Sequence, residues 1–121
     1  MSLKLLSLAA VSAVAFALPA WGHHSAVMYD RDATLSVEAT VKEFVITNPH
    51  SWLYLTVTDE NGQTNEWALE TSSPASLFRR GWTPETLKPG EEISVTFSPM
   101  RDGSLGGELE SVTLADGRTL R

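Results

Sequence analysis

From Thr34 onward, apolar and polar residues alternate in short runs broken by turn formers, as expected of strands with one face buried. Leu35, Val37, Ala39 and Val41 share one face, after which the apolar positions change phase to Phe44 and Ile46. Because strand side chains repeat every two residues, a phase change inside one run predicts a bulge or coil, which lets a single long strand over 34–47 serve two halves of a barrel. Asn48-Pro49-His50 reads as a turn. The run 51–59 reads as a second strand, with Leu53, Leu55 and Val57 on one face and Trp52, Tyr54 and Thr56 on the other. Asp59-Glu60-Asn61-Gly62 closes a hairpin, Asn-Gly being its strongest signal, and 63–71 follows as the third strand with Trp67 and Leu69 at alternate positions.

One helix is expected next. Ser72 or Ser73 caps it, Pro74 fits its first turn, Leu77 and Phe78 supply the apolar contact, and Arg79-Arg80-Gly81 ends it. Lys88-Pro89-Gly90 turns the chain into a fourth strand over 92–98, with Ile93, Val95 and Phe97 inward. A loop over 99–107 precedes the fifth strand, 108–114, and Asp116-Gly117 makes a last turn. The fold class is therefore mainly β. Three strands, a short helix and two strands is the order of a small five-stranded OB-like Greek-key barrel, with an open β-sandwich as the alternative.

Ahead of this domain, residues 1–22 have the layout of a cleaved signal peptide: Lys4, an apolar run from Leu5 to Leu18, and small residues at the end. That run is short for a bilayer span and no second one follows, so no transmembrane segment is expected after cleavage. A cut after Gly22 starts the mature chain at His23; a cut after Ala20 starts it at Trp21, and Ala15-Phe16-Ala17 offers an earlier site. The expected organisation is a leader over 1–22, a His-containing segment over 23–33, and one barrel domain over 34–121. What remains after cleavage is roughly 100 residues, enough for a single core. The expected location is periplasmic or secreted.

Charge and cysteine content narrow the functions available. The formal net charge is −6, and loss of Lys4 with the leader deepens it. Arg79-Arg80 is the only basic cluster, so nucleic acid is not an expected partner. With no Cys, thiolate catalysis, disulfides and Cys-based metal sites are excluded. No nucleophile elbow, phosphate-binding loop or dinucleotide fingerprint is present, and no enzyme activity is expected.

The chain has 3 His, and two of them, His23 and His24, stand directly behind the leader. If the chain begins at His23, its amine and imidazole can chelate one ion, and a second imidazole completes a three-nitrogen T. This histidine-brace arrangement suits copper, which favours tetragonal nitrogen sites. If it begins at Trp21, the amine, two backbone amides and His23 form a square-planar site instead. His50, in a turn at a strand end, is the natural third partner, and Met28 and Met100 are thioether candidates that would favour Cu(I). The plainer readings are a solvated His tail, a His50 bonded within its own turn, and methionines as core filler.

Trp52 and Tyr54 share a strand face and form the second candidate, a platform on which a sugar, base or peptide stacks. Against it stands a reading in which Trp52, Trp67 and Trp82 make the core and plug the barrel. Glu66 with Glu70, and Glu108 with Glu110, also fall on common strand faces. Acid–base chemistry needs such pairs held in a cleft, but the ordinary expectation is charges on the outer face of a sheet. Asp102-Gly103 and Asp116-Gly117 lack the ligand spacing of calcium loops.

His23-His24-Ser25-Ala26 with Tyr29-Asp30, Val41-Lys42-Glu43-Phe44, Asn48-Pro49-His50-Ser51-Trp52, Trp67-Ala68-Leu69-Glu70, Ser73-Pro74, Arg80-Gly81-Trp82, Leu87-Lys88-Pro89-Gly90 and Asp116-Gly117-Arg118 together resemble the exported bacterial family catalogued as domain of unknown function 6152. The resemblance covers essentially the whole mature chain. It implies a small exported protein whose hallmark positions include His23, His24 and His50, and it carries no activity. The expectation is a small exported binding protein that handles copper through His23, His24 and His50, with a periplasmic protein as a further partner. The alternative is a non-metal interaction or small-ligand module using Trp52 and Tyr54.

Overall fold

The computed structural model describes residues 27–121. From Leu35 onward the elements follow in order: β1 Leu35–Val45, β2 Trp52–Thr58, β3 Thr64–Glu70, α1 Pro74–Arg79, β4 Glu92–Pro99, β5 Gly106–Leu114 and β6 Thr119–Leu120. The sheet runs β3-β2-β1-β4-β5-β6, and an additional pairing joins β3 to β5. The first five strands therefore form a closed OB-like barrel, as the element order predicts, and β6 is a short antiparallel addition to β5.

β1 holds the two halves together. Its first part pairs with β4 from Leu35↔Phe97 to Thr40↔Glu92, and its second part with β2 from Thr40↔Thr56 to Val45↔Trp52. The register slips between Val41 and Glu43, leaving Lys42 as the extra residue of a bulge. This is the phase change seen in the sequence, and it turns the strand so that Val41 and Phe44 both face the interior side. A second bulge lies on β5, where Thr96↔Ser111 is followed by Phe97↔Leu109 and Glu110 is left over.

The core is filled by the inward positions of every strand, including Val41, Leu53, Leu55, Leu69, Val95, Phe97 and Val112. Trp67 packs edge-on against Phe97, with ring centroids 5.5 Å apart. One end of the barrel is stoppered by Leu77, Trp82 and Leu87, from α1 and the connection after it, and Phe44 meets Trp82 at 5.7 Å. α1 starts at Ser73, whose side chain accepts the Ser76 N–H, with Pro74 in the first turn; Gly81 takes the positive φ of 86° that lets the chain leave the helix. Leu77 is buried as expected, but Phe78 is 54 % exposed. A helix of 6 residues presents a narrow inward stripe, and Leu77 alone fills it.

β5 begins earlier than the sequence pattern indicates, at Gly106. The reason lies in the closure, where Ala68↔Gly106, Leu69↔Gly107 and Glu70↔Glu108 form the parallel seam. A Cβ on Gly106 would overlap the Ala68 carbonyl oxygen, and one on Gly107 would overlap the Ser98 carbonyl oxygen and sit 2.7 Å from Phe97 Cδ2. The two glycines therefore act as close-packing strand residues rather than as a flexible loop.

Gly107→Ala is expected to cost about 1–3 kcal/mol, the usual penalty for forcing atoms into a packed site. Urea unfolding followed by tryptophan fluorescence reads this directly. A midpoint equal to that of wild type would show that the seam at Gly107 is not closed in solution.

Candidate functional site

Four separate segments meet at the closure of the barrel. His50 follows the Asn48–Pro49 bond, which is cis, and precedes β2. Its neighbour Ser51, fully buried, fixes the turn: the Ser51 N–H donates to the Ser72 carbonyl at 3.0 Å, and the Thr71 N–H donates to the Ser51 carbonyl at 2.8 Å. The Thr47 N–H also donates to Ser51 Oγ at 3.2 Å. The β2–β3 ladder thus continues one step past Trp52↔Glu70, and His50 is held beside the end of β3.

Glu70 ends β3 and is 9 % exposed. Burying a carboxylate is costly unless its oxygens are bonded, and both are: Oε2 accepts from the Tyr29 hydroxyl and Oε1 from His50 Nδ1–H. In a neutral imidazole, an Nδ1 that donates leaves the lone pair on Nε2. His50 Nε2 has no hydrogen-bond partner among the described residues, and its side chain is 44 % exposed.

Tyr29 arrives from the N-terminal side. It bridges Met100, the Asp30 N–H donates to the Pro99 carbonyl at 2.8 Å, and Arg101 donates to the carbonyls of Met28 and Tyr29 at 2.8 and 3.1 Å. Two residues on, Arg31 forks onto Glu108, with Nε–Oε2 at 2.8 Å and Nη2–Oε1 at 2.9 Å. Glu70 and Glu108 are register partners across the parallel seam, so like charges face each other there. The segment 29–31 answers one with a phenol and the other with a guanidinium. Burial, the hydrogen bond to Glu70 and the negative charges of Glu70 and Glu108 together push the Tyr29 phenol well above its ordinary value of 10.0.

Beside this network lies an open cleft of about 520 Å³. Arg31, His50, Glu70 and Glu108 line one part, and the hydroxyl residues Thr71, Ser72, Ser73 and Ser76 line another. Of the sequence candidates, His50 therefore sits in a cleft, while His23 and His24 lie outside the described residues. Among the described residues, no group of three His, Asp or Glu side chains is gathered as a metal requires. The residues nonetheless suit a metal in one respect: a carboxylate on Nδ1 orients Nε2, as in carboxylate–histidine–metal arrangements. Met28 and Met100 lie on the adjoining segments that carry Tyr29.

The aromatic pair divides from the other tryptophans. Trp82 is buried and Trp67 packs on the core, whereas Trp52 and Tyr54 stack on the outer face with centroids 6.4 Å apart and planes 18° apart. The carboxylates divide too. Glu66 pairs with Lys42 at the surface, as an ordinary outer-face charge does. Glu70 departs from that expectation because the N-terminal segment covers it. Tyr29 and Arg31 were not candidates from the sequence; the available signal was a tyrosine followed two residues later by an arginine, just ahead of the first strand.

A model described as a family of unknown function (DUF6152) matches residues 10–109. The chain belongs to this family. The matched span contains Tyr29, Arg31, His50, Glu70 and Glu108 and ends just after the parallel seam. No curated protein matches the chain. Among the described residues, no helix is long and apolar enough to cross a membrane.

Because the fold favours the protonated Tyr29 phenol, its contribution to stability is complete below about pH 10 and is lost as the pH rises from there toward the folded-state value. Tyr29→Phe should lower stability at neutral pH by about 1.5–3 kcal/mol, the range for a hydrogen bond to a charged partner. The gap between wild type and variant should then narrow in urea titrations above about pH 10. A gap that stays constant through the alkaline range would mean that the Tyr29–Glu70 bond does not form in solution.

Proposed function

We propose that this is an exported small binding protein that captures copper with its N-terminal His pair docked onto His50. The observation that supports this reading is the sharing of Glu70 between Tyr29 and His50. The carboxylate that orients His50 also anchors the segment leading back to His24 and His23. Four residues lie between His24 and Tyr29, and the five chain steps that join them reach at most about 18 Å. A tether of that length is compatible with the His pair docking at the cleft.

In this reading Glu70 sets the His50 tautomer so that Nε2 carries the lone pair. His23 and His24 supply the remaining nitrogens, and with a mature start at His23 the terminal amine joins them. Copper, as Cu(II), would be held by these nitrogens, for which it has high affinity. Protonation of the amine and imidazoles at lower pH competes with the metal and favours release. The protein acts as a carrier or buffer without turnover, in the periplasm or outside the cell, and a periplasmic protein that delivers or receives the ion is the partner this role requires.

A second reading has its own observation. Trp52 and Tyr54 stack nearly parallel on the outer face, a platform suited to the flat face of a sugar or aromatic ligand. In that case the protein is a small-ligand or interaction module and the His pair is incidental.

Calorimetric titration with copper of the processed protein, its N-terminus fixed by intact mass, separates the two. The copper reading expects one-to-one binding that is lost in both His23→Ala and His50→Ala and weakened about 10–100-fold in Glu70→Gln, with Trp52→Ala unchanged. Binding that ignores His50→Ala would reduce the His pair to a chelating tail and leave the aromatic platform as the reading to pursue.

A further inference from the structure

The outer face of the barrel at β2 carries a feature that does not depend on copper. Trp52 and Tyr54 have ring centroids 6.4 Å apart and planes 18° apart, so a single cation can lie within about 6 Å of both centroids, the range over which a ring face attracts positive charge. The polar ends of the two rings are free as well. Among the described residues the Trp52 indole N–H and the Tyr54 hydroxyl have no hydrogen-bond partner, and neither is a buried atom left unpaired, so both meet solvent.

Strand register gives the surroundings of the pair. Residues directly opposite each other in an antiparallel ladder share a face, which puts Glu43 and Ala68 on the two sides of Tyr54, Val45 and Glu70 on the two sides of Trp52, and Glu66 one step further along, opposite Thr56. Ala68 is too small to cover the Tyr54 ring. Lys42, the bulge residue, is tied to Glu66, and Glu70 is answered by Tyr29 and His50. Glu43 is exposed and has no cationic partner among the described residues. The rings therefore lie among carboxylates, with an uncompensated negative charge beside Tyr54, in a chain of net charge −6.

We propose that Trp52, Tyr54 and Glu43 bind a small organic cation of the quaternary ammonium type. The inference rests on the reading of Trp52 and Tyr54 as a binding platform and adds the charge that its ligand carries. The negative faces of the rings attract the cation, and the Glu43 carboxylate reinforces that attraction from the side of Tyr54. A quaternary ammonium spreads its charge over methyl groups that pack on the rings, and it has no N–H to leave unbonded there. A primary ammonium is more strongly hydrated and loses more on leaving water.

Choline, the uncharged alcohol in which a carbon replaces its nitrogen, and benzyl alcohol as a neutral ring are the probes. Each is titrated separately into the metal-free protein at constant ionic strength and read by the NMR shift of the Trp52 indole N–H. Choline is expected to saturate, and its uncharged isostere to bind about fivefold or more weakly. Tyr54→Leu should weaken choline about threefold or more, and Glu43→Gln about threefold while leaving the isostere unchanged. Glu60→Gln, which removes the same charge at the β2–β3 turn, should alter choline binding by less than about 1.5-fold. Equal binding of choline and its isostere, or a response to benzyl alcohol alone, overturns the cation and leaves the platform standing. Silence of all three probes overturns both. Equal weakening in Glu43→Gln and Glu60→Gln also overturns the proposal, since it would reveal general charge attraction in place of a site.

Discussion

A carboxylate with almost no exposure, placed opposite a second carboxylate across the one parallel seam of the barrel, is the constraint around which this end of the molecule is built. A carboxylate buried there is costly without bonded partners, and the chain brings Glu70 two of them from opposite directions in sequence. Tyr29 comes from before the barrel and His50 from the turn between its first two strands. Glu108 has the same need and is met by Arg31. The segment ahead of β1 is therefore part of the fold: it settles the charges at the closure, and in doing so it orients an imidazole in a cleft.

Much of the barrel is legible in the chain because its signals are local. The change of phase from Val41 to Phe44 is the bulge at Lys42, Asn61-Gly62 is the hairpin, and Ser73, Pro74 and Gly81 mark both ends of α1. What is not legible depends on contacts distant in sequence. Gly106 and Gly107 look like loop residues until β3 is placed against them, and only then does the absence of a side chain become a packing requirement. Phe78 has the composition of a core residue, yet so short a helix offers no second inward position.

The site divides along the same line. His50 stands out because histidine is scarce and this one sits in a turn at a strand end. Trp52 and Tyr54 stand out because alternation puts them opposite Leu53 and Leu55, and they do stack outside the core. Glu70 misleads, since alternation specifies the face a side chain occupies and says nothing of what lies over it. Its covering residue, Tyr29, belongs to a stretch that reads as a tail, 41 residues earlier in the chain.

The seam between β3 and β5 is short, and the cleft straddles it, with Glu70 on one bank and Glu108 and Leu109 on the other. Its two sides are joined late along the chain, since β5 is the last strand of the barrel to be made. A nascent or partly opened molecule, even with every other strand paired, has two half-sites facing solvent and no pocket between them. Occupancy of the cleft is thereby tied to completion of the fold, and a ligand spanning both banks would act as a rivet on the closure that creates its own binding place.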